Sequence, residues 1–129
     1  MNIKETFFIV SCFNAKQTQD YNEKAHAAQV ASLKHNKVFF KEVNGVYKGK
    51  AEKALLLNCR GFAKAVAQAY EQECFLERGG DNSTYLINPK TETEVFIGLW
   101  KEIKKDQASE FEAYTHDPET DRYFVAVKG

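Results

Sequence analysis

The sequence predicts a ferredoxin-like α+β domain, and three observations carry that expectation. Its 129 residues are enough for one hydrophobic core and too few for two ordinary domains. Short β-rich runs alternate with two helix-forming stretches in the order β-α-β-β-α-β, followed by a hairpin and a last strand. Two helices laid on one face of an antiparallel sheet suit that order. The expected architecture is a single domain over residues 1–129: a βαββαβ sandwich with an antiparallel sheet and extra C-terminal strands. With 43% hydrophobic residues and ten Phe, the chain can fill such an interior, which excludes a disordered protein.

Each element has a local reason. Phe7–Phe13 is a β-rich run without helical period, as a central buried strand reads. Asn14 offers an N-cap, and residues 15–34 are rich in Ala, Gln, Lys and Glu, with Tyr21, Ala25, Ala28 and Ser32 along one face. Residues 37–46 alternate apolar and polar side chains, the mark of a half-exposed strand. Residues 45–52 read as a loop between glycines, and 54–59 as a third strand. From Gly61 to Glu73, the spacing of Phe62, Ala63, Val66, Ala67, Tyr70 and Cys74 forms an apolar helical stripe. Gly79-Gly80-Asp81-Asn82 is a turn, 84–88 and 94–102 flank a hairpin connection, and His116–Glu119 is a turn before a closing strand at 122–127.

Charge and cysteines narrow the function classes. Eighteen basic and eighteen acidic residues cancel, so the basic excess that supplies nucleic-acid affinity is missing. The Lys-dense stretch 37–53 reads as a solvated strand and loop. Cys12, Cys59 and Cys74 form no CxxC pair, and His26, His35 and His116 show no metal-ligand spacing, so no metal or cofactor is expected. Three cysteines in apolar runs read as reduced, buried thiols of an intracellular protein. The seven-residue apolar run 7–13 is too short for a membrane span or a signal core, so the expected location is the cytoplasm.

There is no phosphate loop, GxGxxG, HExxH or GxSxG, so any chemistry here must ask little of the side chains. Three places still exceed what packing requires. Glu71 edges the second helix's apolar stripe, although a surface helix carboxylate is its ordinary reading. Glu102 follows the apolar run 95–100, where a solvated strand end is the default. Tyr47 sits among small residues in the 45–52 loop, which reads equally as a ligand cover or an ordinary connection.

Four segments, in order, resemble the bacteriophage S-adenosylmethionine hydrolases, better described as lyases. They are Val10-Ser11-Cys12-Phe13, Gly45-Val46-Tyr47-Lys48, Asn58-Cys59 through Glu71-Gln72-Glu73-Cys74-Phe75-Leu76, and Gly98-Leu99-Trp100-Lys101-Glu102-Ile103. The region from Lys104 onward shows no such likeness. The resemblance implies a trimer of ferredoxin-like, PII-like subunits with active sites between them, which destroys S-adenosylmethionine and deprives host restriction–modification enzymes of their cofactor. It also implies Glu71 and Glu102 as catalytic acidic positions and Tyr47 as the loop tyrosine, with Ser11 and Phe13 lining the pocket where the first strand ends. S-adenosylmethionine carries its own leaving group and its own nucleophile, so a chain without a triad or metal site fits that reaction. Two other readings share the sequence. One is a PII-like module that binds a nucleotide or S-adenosylmethionine without consuming it. The other is a phage inhibitor that blocks a host protein directly.

Overall fold

The computed structural model describes residues 5–128. The described residues form eight strands and two helices: β1 (Phe7–Ser11), α1 (Gln19–His35), β2 (Phe40–Tyr47), β3 (Lys50–Leu57), α2 (Arg60–Ala69), β4 (Phe75–Arg78), β5 (Ser83–Ile87), β6 (Glu94–Ile103), β7 (Ala113–Asp117) and β8 (Arg122–Val127). A 3₁₀ turn at Lys105–Glu110 joins β6 to β7.

The expected ferredoxin-like, PII-like sandwich does not form. The strands close into a barrel in the order β1-β3-β2-β7-β8-β6-β5-β4, with β4 returning to β1 and every pair antiparallel. The two outer strands of the β4-β1-β3-β2 block are both claimed. The edge of β4 takes β5 and that of β2 takes β7, so no edge is left exposed. Sequence reading missed β7, whose residues Ala-Tyr-Thr-His-Asp lack the apolar alternation that marks a strand.

Strand alternation puts one main core outside the barrel and one inside it, while a smaller cluster of Ile103, Ala108 and Val125 includes a residue of the 3₁₀ turn. Phe8, Val10, Leu55, Leu57 and Phe75 face outward under the helices, joined by Ala63, Val66 and Ala67 of α2 and Leu33 of α1. Phe7, Ile9, Val43, Leu56, Trp100 and Phe124 fill the barrel. There Trp100 stacks on Phe124 (centroids 5.6 Å) and meets Phe7 edge-on (5.5 Å). This aromatic plug divides the interior into an upper end, where β1 finishes, and a lower end, where it starts. Below it, the buried Arg78 guanidinium lies 4.4 Å from the Phe7 ring centroid and donates to Asn82 Oδ1 (3.1 Å) and the Glu5 carbonyl.

Boundaries shift for physical reasons. Thr18, not Asn14, caps α1 by accepting the Tyr21 N–H at 3.1 Å. The buried side of α1 is Asn22, His26 and Leu33, not the small-residue face, and His26 Nε2 lies 2.8 Å from Glu42 Oε1. Residues 45–52 are not an open loop. β2 and β3 pair up to Tyr47↔Lys50, and Lys48 (φ 50°) with Gly49 (φ 80°) makes a two-residue hairpin turn. Cys12 is fully buried, which pushes its thiol up to about 12, while Cys59 and Cys74 are half-buried.

Closure depends on a bulge in β6. Thr84 pairs with Gly98 and Tyr85 with Phe96, leaving Ile97 extra. Gly98 has φ 131°, and a Cβ there would stand 2.4 Å from the Val127 carbonyl carbon. Gly98→Ala should therefore lower unfolding stability by about 2 kcal/mol or more. Urea denaturation measures this; an unchanged midpoint would mean that β8 yields easily.

A buried ion pair closes the lower end. Lys41 Nζ lies 2.5 Å from Asp117 Oδ2. Burial alone would raise the Asp117 carboxyl, but hydrogen bonds from Lys41 and Thr120, with the Lys41 charge, outweigh it and hold the group below its ordinary 3.8. A depressed folded value means that the stabilisation is present above the unfolded value and is lost as pH falls through the folded one. Denaturation midpoints between pH 7 and 2 should fall at the acid end, and Asp117→Asn should flatten that limb while lowering stability at neutral pH. An equally steep acid limb in the variant would assign it to other carboxylates.

Candidate active site

The upper end of the barrel opens into a cavity of about 460 Å³, within the range of small-molecule sites. Its floor and walls are largely apolar: Ile9, Ala54, Leu76, Trp100, Tyr114 and Phe124. The hairpin and the chain leaving β1 form its polar rim. Ser11 Oγ donates to Glu52 Oε1 at 3.0 Å and accepts the Phe13 N–H at 2.9 Å. One hydroxyl thus holds both a carboxylate at the rim and the path of the chain after the strand. A second, more polar cavity of about 310 Å³ adjoins the first and shares Tyr47, Lys50 and Glu52 with it; its other wall is the segment Phe13–Gln19.

The sequence-predicted residues divide between the two ends. Ser11 and Tyr47 line the upper cavity, and Phe13 lines the smaller one. Tyr47 is 58% exposed, and Lys48 Nζ lies 5.3 Å from its ring centroid. The hairpin tip is tied down by Lys48 N–H donating to the Glu112 carbonyl at 2.7 Å. Glu71 stands just beyond the C-terminus of α2 with φ 55°. Its N–H donates to the Gln68 carbonyl (3.3 Å) and that of Gln72 to the Ala67 carbonyl (2.8 Å), a helix-ending motif that usually carries glycine. Its exposed side chain lines neither cavity, whereas its neighbour Gln72 lines the larger one and donates to the Phe13 carbonyl. Glu102 lies at the other end of the barrel, in a two-point pair with Arg122 (Nε to Oε2 3.0 Å) that holds its carboxyl below the usual range.

Glu52 is the carboxylate that sequence reading passed over. Within Lys50-Ala-Glu-Lys53 it looks like one more solvated charge, and only the pairing of β1 with β3 brings it to Ser11. Cys74 also lines the cavity; burial and the nearby Glu73 charge raise its thiol, which disfavours a thiolate nucleophile. Among the described residues, no group of three or more His, Cys, Asp or Glu is placed to hold a metal ion.

The lower end has a larger hollow, about 860 Å³, bounded by Phe7, Phe40, Lys41, Leu56 and Glu119 among others. Among the described residues that line it, the one cation, Lys41, is already engaged by Asp117 (2.5 Å) and Glu119 (3.6 Å). The upper cavity instead presents an aromatic floor with a carboxylate and an ammonium, Glu52 and Lys50, on one rim. That arrangement suits a molecule with an aromatic part, a cation and an anion.

Residues 8–127 match the S-Adenosylmethionine lyase family. The chain belongs to that family. The match makes it an S-adenosylmethionine lyase, with S-adenosylmethionine as its substrate. It extends through β7 and β8, beyond the four segments that carry the resemblance. A comparison with curated proteins finds no match. No helix among the described residues of this lyase is long and apolar enough to cross a membrane.

Proposed function

We propose that the enzyme cleaves S-adenosylmethionine in the upper barrel cavity by intramolecular displacement. The observation that carries this reading is the Ser11–Glu52 pair at 3.0 Å on the rim of an aromatic-floored cavity. A carboxylate oxygen of the substrate attacks its own γ-carbon, the γ-carbon–sulfur bond breaks, and the electron pair returns to sulfur. The products are neutral methylthioadenosine and a homoserine lactone that keeps its α-ammonium, with no water, metal or proton transfer in the balance.

Such a step is accelerated by holding one folded conformer, an effect worth up to roughly 7–11 kcal/mol in the best cases. Opposite charges vanish as the bond forms, so a site with little water favours the transition state. The aromatic floor offers ring faces to the sulfonium. Glu52, steadied by Ser11, accepts the substrate's α-ammonium through a charge-assisted hydrogen bond. Tyr47 and Phe13 flank the entrance. Glu71 adds negative charge to the same end, and Glu102 serves a site of this kind only from a neighbouring subunit, as a trimer would allow. The reading also includes a phage anti-restriction role in the host cytoplasm, where removal of S-adenosylmethionine starves modification and restriction enzymes.

Product NMR within minutes of mixing is the test. Methylthioadenosine should appear with homoserine lactone, and homoserine formed without prior lactone would overturn the intramolecular step. Glu52→Gln should raise KM about tenfold or more, the loss expected for one charge-assisted bond; unchanged KM would remove Glu52 from the site. Glu71→Gln should lower turnover with the fold intact, and full activity would remove Glu71 from the mechanism.

A further inference from the structure

We infer that Asn22 is a positioning residue for the lyase reaction, shaping a polar subsite that receives the amino-acid end of the substrate. The inference rests on the barrel-mouth reading above. The larger cavity is apolar and aromatic and suits a planar base with its sulfonium, whereas the smaller is walled by Asn14, Gln17, Gln19, Asn22, Lys50 and Glu52 among others. A zwitterionic amino-acid group belongs in the second. Lys50 and Glu52, of opposite sign at the shared edge, match its carboxylate and its ammonium.

The wall opposite that edge is a stretch of chain outside the barrel ladder, and Asn22 holds it. Asn22 is 6% exposed, in the first turn of α1, and its side chain is devoted to the backbone of Asn14. Its Oδ1 accepts the Asn14 N–H (2.9 Å), and its Nδ2 donates to the Asn14 carbonyl (3.0 Å). Burying an amide is unfavourable unless both halves are answered, and here both are. The same stretch is held at Phe13 by Ser11 and Gln72, and by Asn14 Nδ2 donating to the Tyr70 carbonyl (3.4 Å). Asn22 therefore sets the gap between this wall and the hairpin bearing Lys50 and Glu52. The substrate's nucleophile sits on the group placed in that gap.

The experiment compares kcat/KM for S-adenosylmethionine with the inhibition constant of methylthioadenosine, which lacks the amino-acid end. Asn22→Leu matches the side chain in size but neither donates nor accepts. Asn22→Asp keeps the acceptor for the Asn14 N–H and loses the donor, and serves if the leucine variant fails to fold. Either should lower kcat/KM about a hundredfold, the scale of an ångström of misplacement, with methylthioadenosine inhibition unchanged. Leu33→Ala, which removes core packing on the same helix, should lower the melting temperature and leave both constants alone. Unchanged kcat/KM in a folded Asn22 variant overturns the inference. So does inhibition that weakens in step with kcat/KM, or an equal loss in Leu33→Ala. The underlying site fails separately, if methylthioadenosine does not inhibit the wild-type enzyme or Glu52→Gln alters neither constant.

Discussion

The architecture depends on one short strand that pairs on both sides. Ala113–Asp117 bonds to β2 along Tyr47↔Ala113 through Asn44↔His116, and to β8 along Thr115↔Phe124 through Asp117↔Arg122. Without it the sheet would keep two long edges, at β2 and β8, and its inner face would be open to water. With it, Trp100 stacks on Phe124 and meets Phe7 edge-on inside a closed wall. The same pairing places Ala113, Tyr114 and Thr115 around the upper cavity and Asp117 beside Lys41 at the lower end. Fold, cavity and buried ion pair are thus one consequence of ring closure.

Much of this was legible in the sequence, and the rest failed for identifiable reasons. Runs such as Phe7–Val10 and Leu55–Leu57 are apolar on both faces because one face packs under helices and the other inside the barrel; they read as strands without difficulty. The stripe of α2 was equally plain. β7 was not, because its inward residues are Ala113, Thr115 and Asp117, which line a cavity and an ion pair instead of a hydrophobic layer. A strand that serves a site lacks the alternation by which strands are found. Missing it turned a closed barrel into an open sandwich.

The site divides in the same way. Ser11 and Phe13 stand out through a short segment resembling a family, Tyr47 also as the aromatic of its own loop, and all three line the adjoining upper cavities. Glu52 carried no local signal, since a carboxylate among lysines is ordinary until the β1–β3 register sets it against Ser11. Glu71 and Glu102 illustrate the limit of reading along the chain: two carboxylates in comparable settings lie at opposite ends of a barrel, one at a helix terminus and the other paired with Arg122.

The cavity also changes an argument from size. A chain of 129 residues has little interior to spare, which favours a pocket between subunits. A barrel relaxes that constraint, because eight strands enclose a space that side chains need not fill completely. Here the aromatic plug occupies the middle and the outer core under the helices supplies much of the remaining apolar burial, so the upper end can stay hollow. The proposed reaction, whose nucleophile and leaving group belong to one molecule, needs little more than such a container: an aromatic wall, one oriented carboxylate, and a rim that holds the substrate folded. The absence of a catalytic motif and the presence of a hollow barrel are, on this view, two sides of the same chemical requirement.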